Sequence, residues 1–319
     1  MINPALLTDD LADKLAEEVI CSCCVESIEW HIARRFAERT KELLDNIMPS
    51  VNELRRQAHF EKLFNSLIPY EKLYKTMLRD VWAKEEKIVI ANLKKMKKSW
   101  LTKDKIDDIL YPVSQFEKEL SENALEIDLA IIDKQGNIEM GKLAATDVVF
   151  DVSNPEVQKW LKSYTPKFAK EFEKTSIKKL RKALMEGMAE GEGVPQLAKR
   201  INEIFKNWNK QRAVDVAQGE ALRASNKANM LAYKQSGIVK KKVWITHLDD
   251  KTCNHCRRLD GKVISIEKNF FNIGDTSTVT VSRGGKQFKE KLKITYEDVD
   301  GGNLHNRCRC TVAAQIEEA

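Results

Sequence analysis

No run of 18 consecutive apolar residues occurs in the 319-residue chain, so no segment is expected to cross a membrane as a helix. Met1 to Asp10 lacks the basic start and apolar run of a secretory signal, which points to a product made and kept in a cytoplasm. There is no H-E-x-x-H pair to build a zincin-type protease helix, and no G-x-x-x-x-G-K-[ST] loop to support an ATP-driven motor. Proline and glycine are scarce, at 7 and 13, and few interrupt the first 110 residues, which are therefore expected to be helical. Cysteines number seven, an odd count, and three crowd at Cys21, Cys23 and Cys24. That argues against a disulfide framework and for a reducing compartment.

The composition that is present suits two folded domains. At 42% apolar the chain can bury a sizeable core. Lys and Arg total 54 against 48 Asp and Glu, a net charge of +6. This mild excess permits contact with nucleic acid or an acidic protein surface without requiring either.

From Thr8 to about Tyr111 the pattern is helical, with Ile20, Cys24, Ile28, Ile32 and Phe36 forming one stripe. Small apolar packing is the expected role of Cys21 and Cys24, and Pro49 and Pro69 are expected to end or kink helices. Lys94, Lys95, Lys97 and Lys98 make a basic run that reads as a solvated surface or a phosphate-binding patch. Leu129–Ile132 and Asp147–Val152 read as short buried strands, with a turn at Lys134-Gln135-Gly136-Asn137. Asn154-Pro155 is a helix start.

Helix is again expected over 166–235, broken at Glu190-Gly191-Glu192-Gly193. It carries a small-residue stripe, Val214, Ala217, Ala221, Ala224, Ala228 and Leu231. Gly219 within it costs about 1 kcal/mol against alanine, so a close-packing role is expected there. Glu220, Arg223 and Lys227 beside the stripe read as a surface ladder, with a site edge as the alternative. The tail is β-rich: strands at 243–246 and 262–266, then a hairpin through 278–281, a Gly284-Gly285 turn and 292–296.

Into this tail fall Cys253-x2-Cys256 and, after 48 residues, His305-x2-Cys308. Each turn places two donors on one side of a small loop, and together they supply the Cys3His set of a structural zinc ion. Cys310 could replace Cys308. The alternatives are a CxxC redox pair or no cofactor. With four donors and a spare, a closed site is favoured over a catalytic one. His247-Leu248-Asp249 lies too close to Cys253 to act as a deaminase H-x-E, and His255 is expected to be exposed. The hairpin inside the 48-residue gap is the expected means of bringing the halves together.

Taken in order, Ala217-Gln218-Gly219-Glu220-Ala221-Leu222-Arg223, Lys242-Val243-Trp244, Asp249-x3-Cys253, Leu259-Asp260-Gly261 and His305-Asn306-Arg307-Cys308-Arg309-Cys310 resemble the phage minor head protein, or head morphogenesis, family. The likeness extends over about 148–313; it departs from the family in lacking prolines beside His305 and in the longer gap. It implies a low-copy virion protein of the phage head interior near the portal, made in the host bacterial cytoplasm. Its implied partners are portal protein, capsid or scaffold proteins and double-stranded DNA, with no membrane and no demonstrated enzymatic activity.

The fold class expected is α+β. A helical N-terminal region (1–110) and a mixed connector with short strands (111–147) precede a domain over 148–319, whose β-rich subdomain, about 243–313, is stapled by zinc. Two other functions compete with head assembly. One is a zinc-stiffened nucleic-acid-binding module using Lys94, Lys95, Lys97, Lys98, Lys178, Lys179, Arg181 and Lys182, with Lys240, Lys241 and Lys242 beside them. The other is an enzyme with a cleft at Glu220 and Arg223.

Overall fold

The computed structural model describes residues 51–97, 101–102, 105–143 and 148–315. The Cys21–Cys24 cluster, the Ile20–Phe36 stripe, Pro49 and Lys98 lie outside them. The chain divides into two compact units, 1–63 and 64–319. Of the first, residues 51–63 are described, as helix.

The described residues are mostly helical, with a small antiparallel sheet near the C-terminus. Helix α1 (Val51–Lys95) keeps Pro69 in its interior without ending there. A single-turn α2 (Ile106–Ile109) leads into α3 (Val113–Lys142), and α4 (Pro155–Ala189), α5 (Val194–Asn207) and α6 (Ala213–Ser236) follow. A π-helical turn, Trp208–Arg212, joins the last two. The start of α4 is capped as expected: Asn154 Oδ1 accepts from the Glu156 N–H at 2.9 Å, with Pro155 in the first turn. No described helix is long and apolar enough to cross a membrane.

The expected connector strands are a correction. Leu129–Ile132 lies inside α3, where Phe116, Leu120, Ala124, Ile127 and Ile131 recur every three or four residues on the buried face. Helical periodicity over thirty residues outweighs a short contiguous apolar run. Residues 148–150 carry no strand, and Val149 is exposed. Gly136 is not a turn glycine either. A Cβ there would sit 2.5 Å from the buried Phe150 ring, so glycine lets that ring lie against the helix.

Helix α6 packs on α3 through its alanine stripe and a buried polar seam. Gln135 Nε2 donates to Asn229 Oδ1 at 3.0 Å, and Tyr233 OH to Glu139 Oε2 at 2.9 Å. Gly219 takes no part in close packing, because nothing lies within 4 Å of where its Cβ would be. Gly237, at φ 69°, ends α6 in the left-handed conformation.

The tail then forms β1 (Lys241–Ile245), a short α7 (Asn254–Leu259), β2 (Val263–Ser265), β3 (Thr276–Arg283), β4 (Lys286–Lys293) and β5 (Thr311–Gln315). Strands β2, β1 and β5 make an antiparallel sheet in that order, and β3–β4 a separate two-stranded ribbon. Trp244 pairs with Val312 across β1–β5 and is fully buried against Phe270, ring centroids 5.0 Å apart. One apolar core runs from Val157, Leu161 and Leu231 through Trp244 and Ile266 to Cys256 and Cys308. The sheet is thus built onto the helices.

Candidate metal centre

The first half of the site hangs from β1. Thr246 follows the strand, its N–H donating to Asp260 Oδ1 at 2.9 Å and its hydroxyl to the Cys256 carbonyl at 2.9 Å. Gly261, at φ 72°, lets its N–H reach the Trp244 carbonyl at 2.9 Å. The Leu-Asp-Gly motif is therefore a clasp on the strand. Cys253 caps α7, and its Sγ accepts from the Cys256 N–H at 3.4 Å. The second half lies just before β5, where Cys308 N–H donates to the His305 carbonyl at 3.1 Å.

The halves meet because β1 and β5 are neighbouring strands. This corrects the expectation that the hairpin brings them together, since the β3–β4 ribbon is a separate sheet. Asp249 also ties the halves directly. It accepts from Arg309 Nη2 at 2.6 Å and from the Lys251 N–H at 3.0 Å. Hydrogen bonding to Arg309 holds the Asp249 carboxyl far below the usual carboxylate range.

Five donors converge. Cys253, Cys256 and His305 form one group within metal-binding distance, and Cys256, Cys308 and Cys310 another, so Cys256 belongs to both. His305 Nε2 lies 3.1 Å from Cys253 Sγ and 3.3 Å from Cys256 Sγ, and Cys256 Sγ lies 3.7 Å from Cys308 Sγ. A tetrahedral zinc with ordinary bond lengths would separate two sulfurs by about 3.8 Å, and sulfur from nitrogen by about 3.6 Å. These three separations come within about 0.5 Å of such edges, and the two groups are joined through Cys256 rather than all lying within 4.8 Å of one another. His305 Nδ1 is 2.7 Å from the Asn306 carbonyl, which fixes Nε2 as the nitrogen offered to the site.

The thiols alternate in acidity. Hydrogen bonding from Cys256, helped by His305 against burial, pulls Cys253 down to about 4. The hydrogen bond to Cys253, against burial, raises His305 to about 9. Cys256 is pushed up by its bonds to Cys253 and Cys308, while Cys308 is held well below its ordinary value by Cys256. Donors this close cannot all be unprotonated at once unless a cation lies between them.

Other expected residues fare differently. His255 is buried, with Nδ1 2.9 Å from Ser277 Oγ, which corrects the expected exposure. Glu220, Arg223 and Lys227 are not a surface ladder. Tyr164 OH donates to Glu220, which ties α4 to α6, while Arg223 pairs with Glu297 and Lys227 reaches Asp300 at 2.7 Å, which fasten α6 to the tail. A cavity of about 570 Å³ adjoins them, lined by Arg212, Glu220, Arg223, Tyr296 and His305 among others.

Lys94 and Lys95 end α1 and are exposed, as is Lys97. Lys178, Lys179 and Lys182 are exposed on α4, but Arg181 pairs with Asp107 and Lys182 with Glu186 at 3.7 Å. Lys242 is no surface lysine. It is fully buried, donates to the Ile266 carbonyl at 3.3 Å, and is lowered to about 8 by burial.

Residues 178–313 match the family described as Phage Mu protein F like protein. Among curated proteins, "NAD(+)--arginine ADP-ribosyltransferase EFV" of Enterococcus faecalis is 28% identical over 42% of this chain and 25% of its own. "Uncharacterized protein YqbB" of Bacillus subtilis is 25% identical over 56% of this chain and 58% of its own. "Minor head protein GP7" of Bacillus phage SPP1 is 26% identical over 30% of this chain and 32% of its own. The chain thus spans from a quarter to somewhat over half of these relatives' lengths. No solved structure matches it.

Proposed function

We propose that the chain is a minor head protein, on the match of residues 178–313 to the Phage Mu protein F like family. It would act in phage head assembly, reside in the virion, and take the portal protein and capsid or scaffold proteins as partners. The likeness to the minor head protein of Bacillus phage SPP1 supports this reading. The Enterococcus relative is named for an ADP-ribosyltransferase, but only a quarter of that protein aligns. That activity is not carried over. In this reading Glu220 and Arg223 are structural, since each is engaged by a side chain from another element.

The centre holds zinc through Cys253, Cys256, His305 and Cys308. The convergence of these donors about Cys256 carries the assignment. Cys308 lies 3.7 Å from Cys256 Sγ, close to a tetrahedral edge, and Cys310 of the same group is the alternative fourth donor. The ion would be structural: four protein donors leave no open position, and its role is to lock the loop after β1 to the loop before β5.

Two measurements test this. Elemental analysis of the purified chain should find about one zinc, lost in Cys253→Ser and kept in Cys310→Ser. A chain equally stable without metal would overturn the centre. Mass spectrometry of particles from a phage carrying the gene should find the chain, and virions complete without it would overturn the head assignment.

A further inference from the structure

The β3–β4 ribbon sorts its charges by face. Its inner face rests on α7: Ser277 and Val279 are buried, His255 contacts Ser277, Asn254 Nδ2 donates to Glu290 Oε2 at 3.0 Å, and Arg258 donates to the Thr278 carbonyl. Glu290 is the only acidic residue of the two strands, and it is also paired with Arg283. The register sets Thr276 opposite Lys293, Thr278 opposite Lys291 and Thr280 opposite Lys289 on the outer face. The three lysines are exposed, and none has an ion-pair partner among the described residues. At the ribbon's base, Asp275 and Asp298 accept instead from the N–H groups of Asn272 and Ile273, each at 2.8 Å.

We propose that this outer face binds the phosphate backbone of duplex DNA. Alternate lysines on a strand stand about 6.8 Å apart, twice the roughly 3.4 Å rise between phosphates along one DNA strand. Lysine ammonium groups and threonine hydroxyls are the side chains that contact phosphate without reading sequence. A two-stranded ribbon also fits the major groove, about 12 Å wide. An acidic protein partner is disfavoured because the face offers Thr, Ser, Gln and Lys but no apolar anchor. The contacts to α7 place the ribbon on the helix that begins at Cys253, so the metal centre would hold the DNA-binding face in position.

This deepens the head-protein reading by naming DNA as a partner of the tail. Its failure would leave that reading standing, because head incorporation and zinc content are measured separately. The test is fluorescence anisotropy of the full zinc-loaded chain on a mixed-sequence duplex between about 50 and about 200 mM salt. Changing Lys289, Lys291 and Lys293 together to Gln should weaken binding at least about tenfold at the lower salt and reduce the slope of log Kd against log salt by about 2.7. The same three changed to Arg should bind like the parent, as should Lys178→Gln, Lys179→Gln and Lys182→Gln combined. The proposal is overturned by absence of parent binding at the lower salt, or by loss of binding in the Arg triple. It is equally overturned if only the α4 triple loses affinity, or if polyglutamate competes as well as DNA.

Discussion

Between β1 and β5, four thiols and an imidazole face one another; between α1 and α4, two glutamates do. Glu85 and Glu173 are both fully buried. Tyr111 OH donates to Glu173 Oε2 at 2.8 Å, while neither Glu85 oxygen has a hydrogen-bond partner among the described residues. Arg212, from the π-helical turn, supplies the positive charge. Its guanidinium lies 4.2 Å from the Phe172 ring and 4.8 Å from the Trp208 ring, with Nη1 donating to Ser176 Oγ at 2.8 Å. Both regions gather groups that repel when ionised. The tail gathers donors that an added cation can reconcile, and the helical layer relies on a cation already in the chain plus retained protons. The comparison teaches that crowding of ionisable groups marks a ligand site only when their lone pairs converge on one point.

Metal removal should separate the regions most widely. Chelation should cost on the order of 5 kcal/mol or more through linkage between metal binding and folding, and hydrogen exchange should rise in 246–260 and 302–311 well before α1, α3 and α4. Uniform loss of protection would show that the ion supports the whole core and that the contrast is false. Next in size is Arg212→Ala. It leaves Glu173 and Glu85 without their buried cation and should cost about 3–5 kcal/mol in denaturant unfolding, without changing zinc content. An Arg212 variant of unchanged stability would remove the proposed role of that side chain.

Two glycines sharpen the comparison at lower cost. At Gly302 a Cβ would stand 2.2 Å from the Cys310 carbonyl oxygen, a backbone atom held also by Asn226 Nδ2 at 3.0 Å. Gly302→Ala should cost about 1–3 kcal/mol by overpacking, and weaken metal retention, because the loop before β5 must move. Gly136→Ala presses on the Phe150 ring instead, but gains about 1 kcal/mol of helix propensity. Its melting shift should be smaller, with metal affinity unchanged.

The tail was the more legible region. Strand β1, the outgoing hairpin strand with its Gly284-Gly285 turn and the meeting of the two Cys/His halves follow from alternation, turn chemistry and ligand spacing, whereas the returning strand runs over 286–293 and not the expected 292–296. What escaped were features set by neighbours distant in sequence. Lys242 looks like part of a basic surface, yet its strand position shares the inward face with Trp244 and its ammonium finds the Ile266 carbonyl. His255 looks free until Ser277 of the ribbon reaches it. Strand β5 was missed because Thr311–Gln315 is short, and it is placed by pairing with β1. In the helical layer, Glu85 and Glu173 fall in no motif. No local pattern announces that α1 and α4 press them together.

The effect read through pH bears on that acid pair. Burial, reinforced by the charge of Glu173, raises the Glu85 carboxyl to about 10, and burial raises Glu173 to about 7. A carboxyl whose folded value lies above its unfolded one binds its proton more tightly when folded. Its stabilising contribution is complete below the unfolded value, near 4.5, and is lost as pH rises toward about 10. Stability should therefore fall between pH about 5 and 9, by at most about 1.4 kcal/mol per pH unit for each proton involved. Glu85→Gln keeps the shape and removes the proton, so its unfolding free energy should vary less with pH across that window. Because zinc-bound thiolates favour the opposite trend, gaining affinity as pH rises, the measurement belongs at saturating zinc. A Glu85→Gln chain with the parent's full pH dependence would mean that the titration governing stability lies elsewhere, and the contrast between the two regions would lose its helical half.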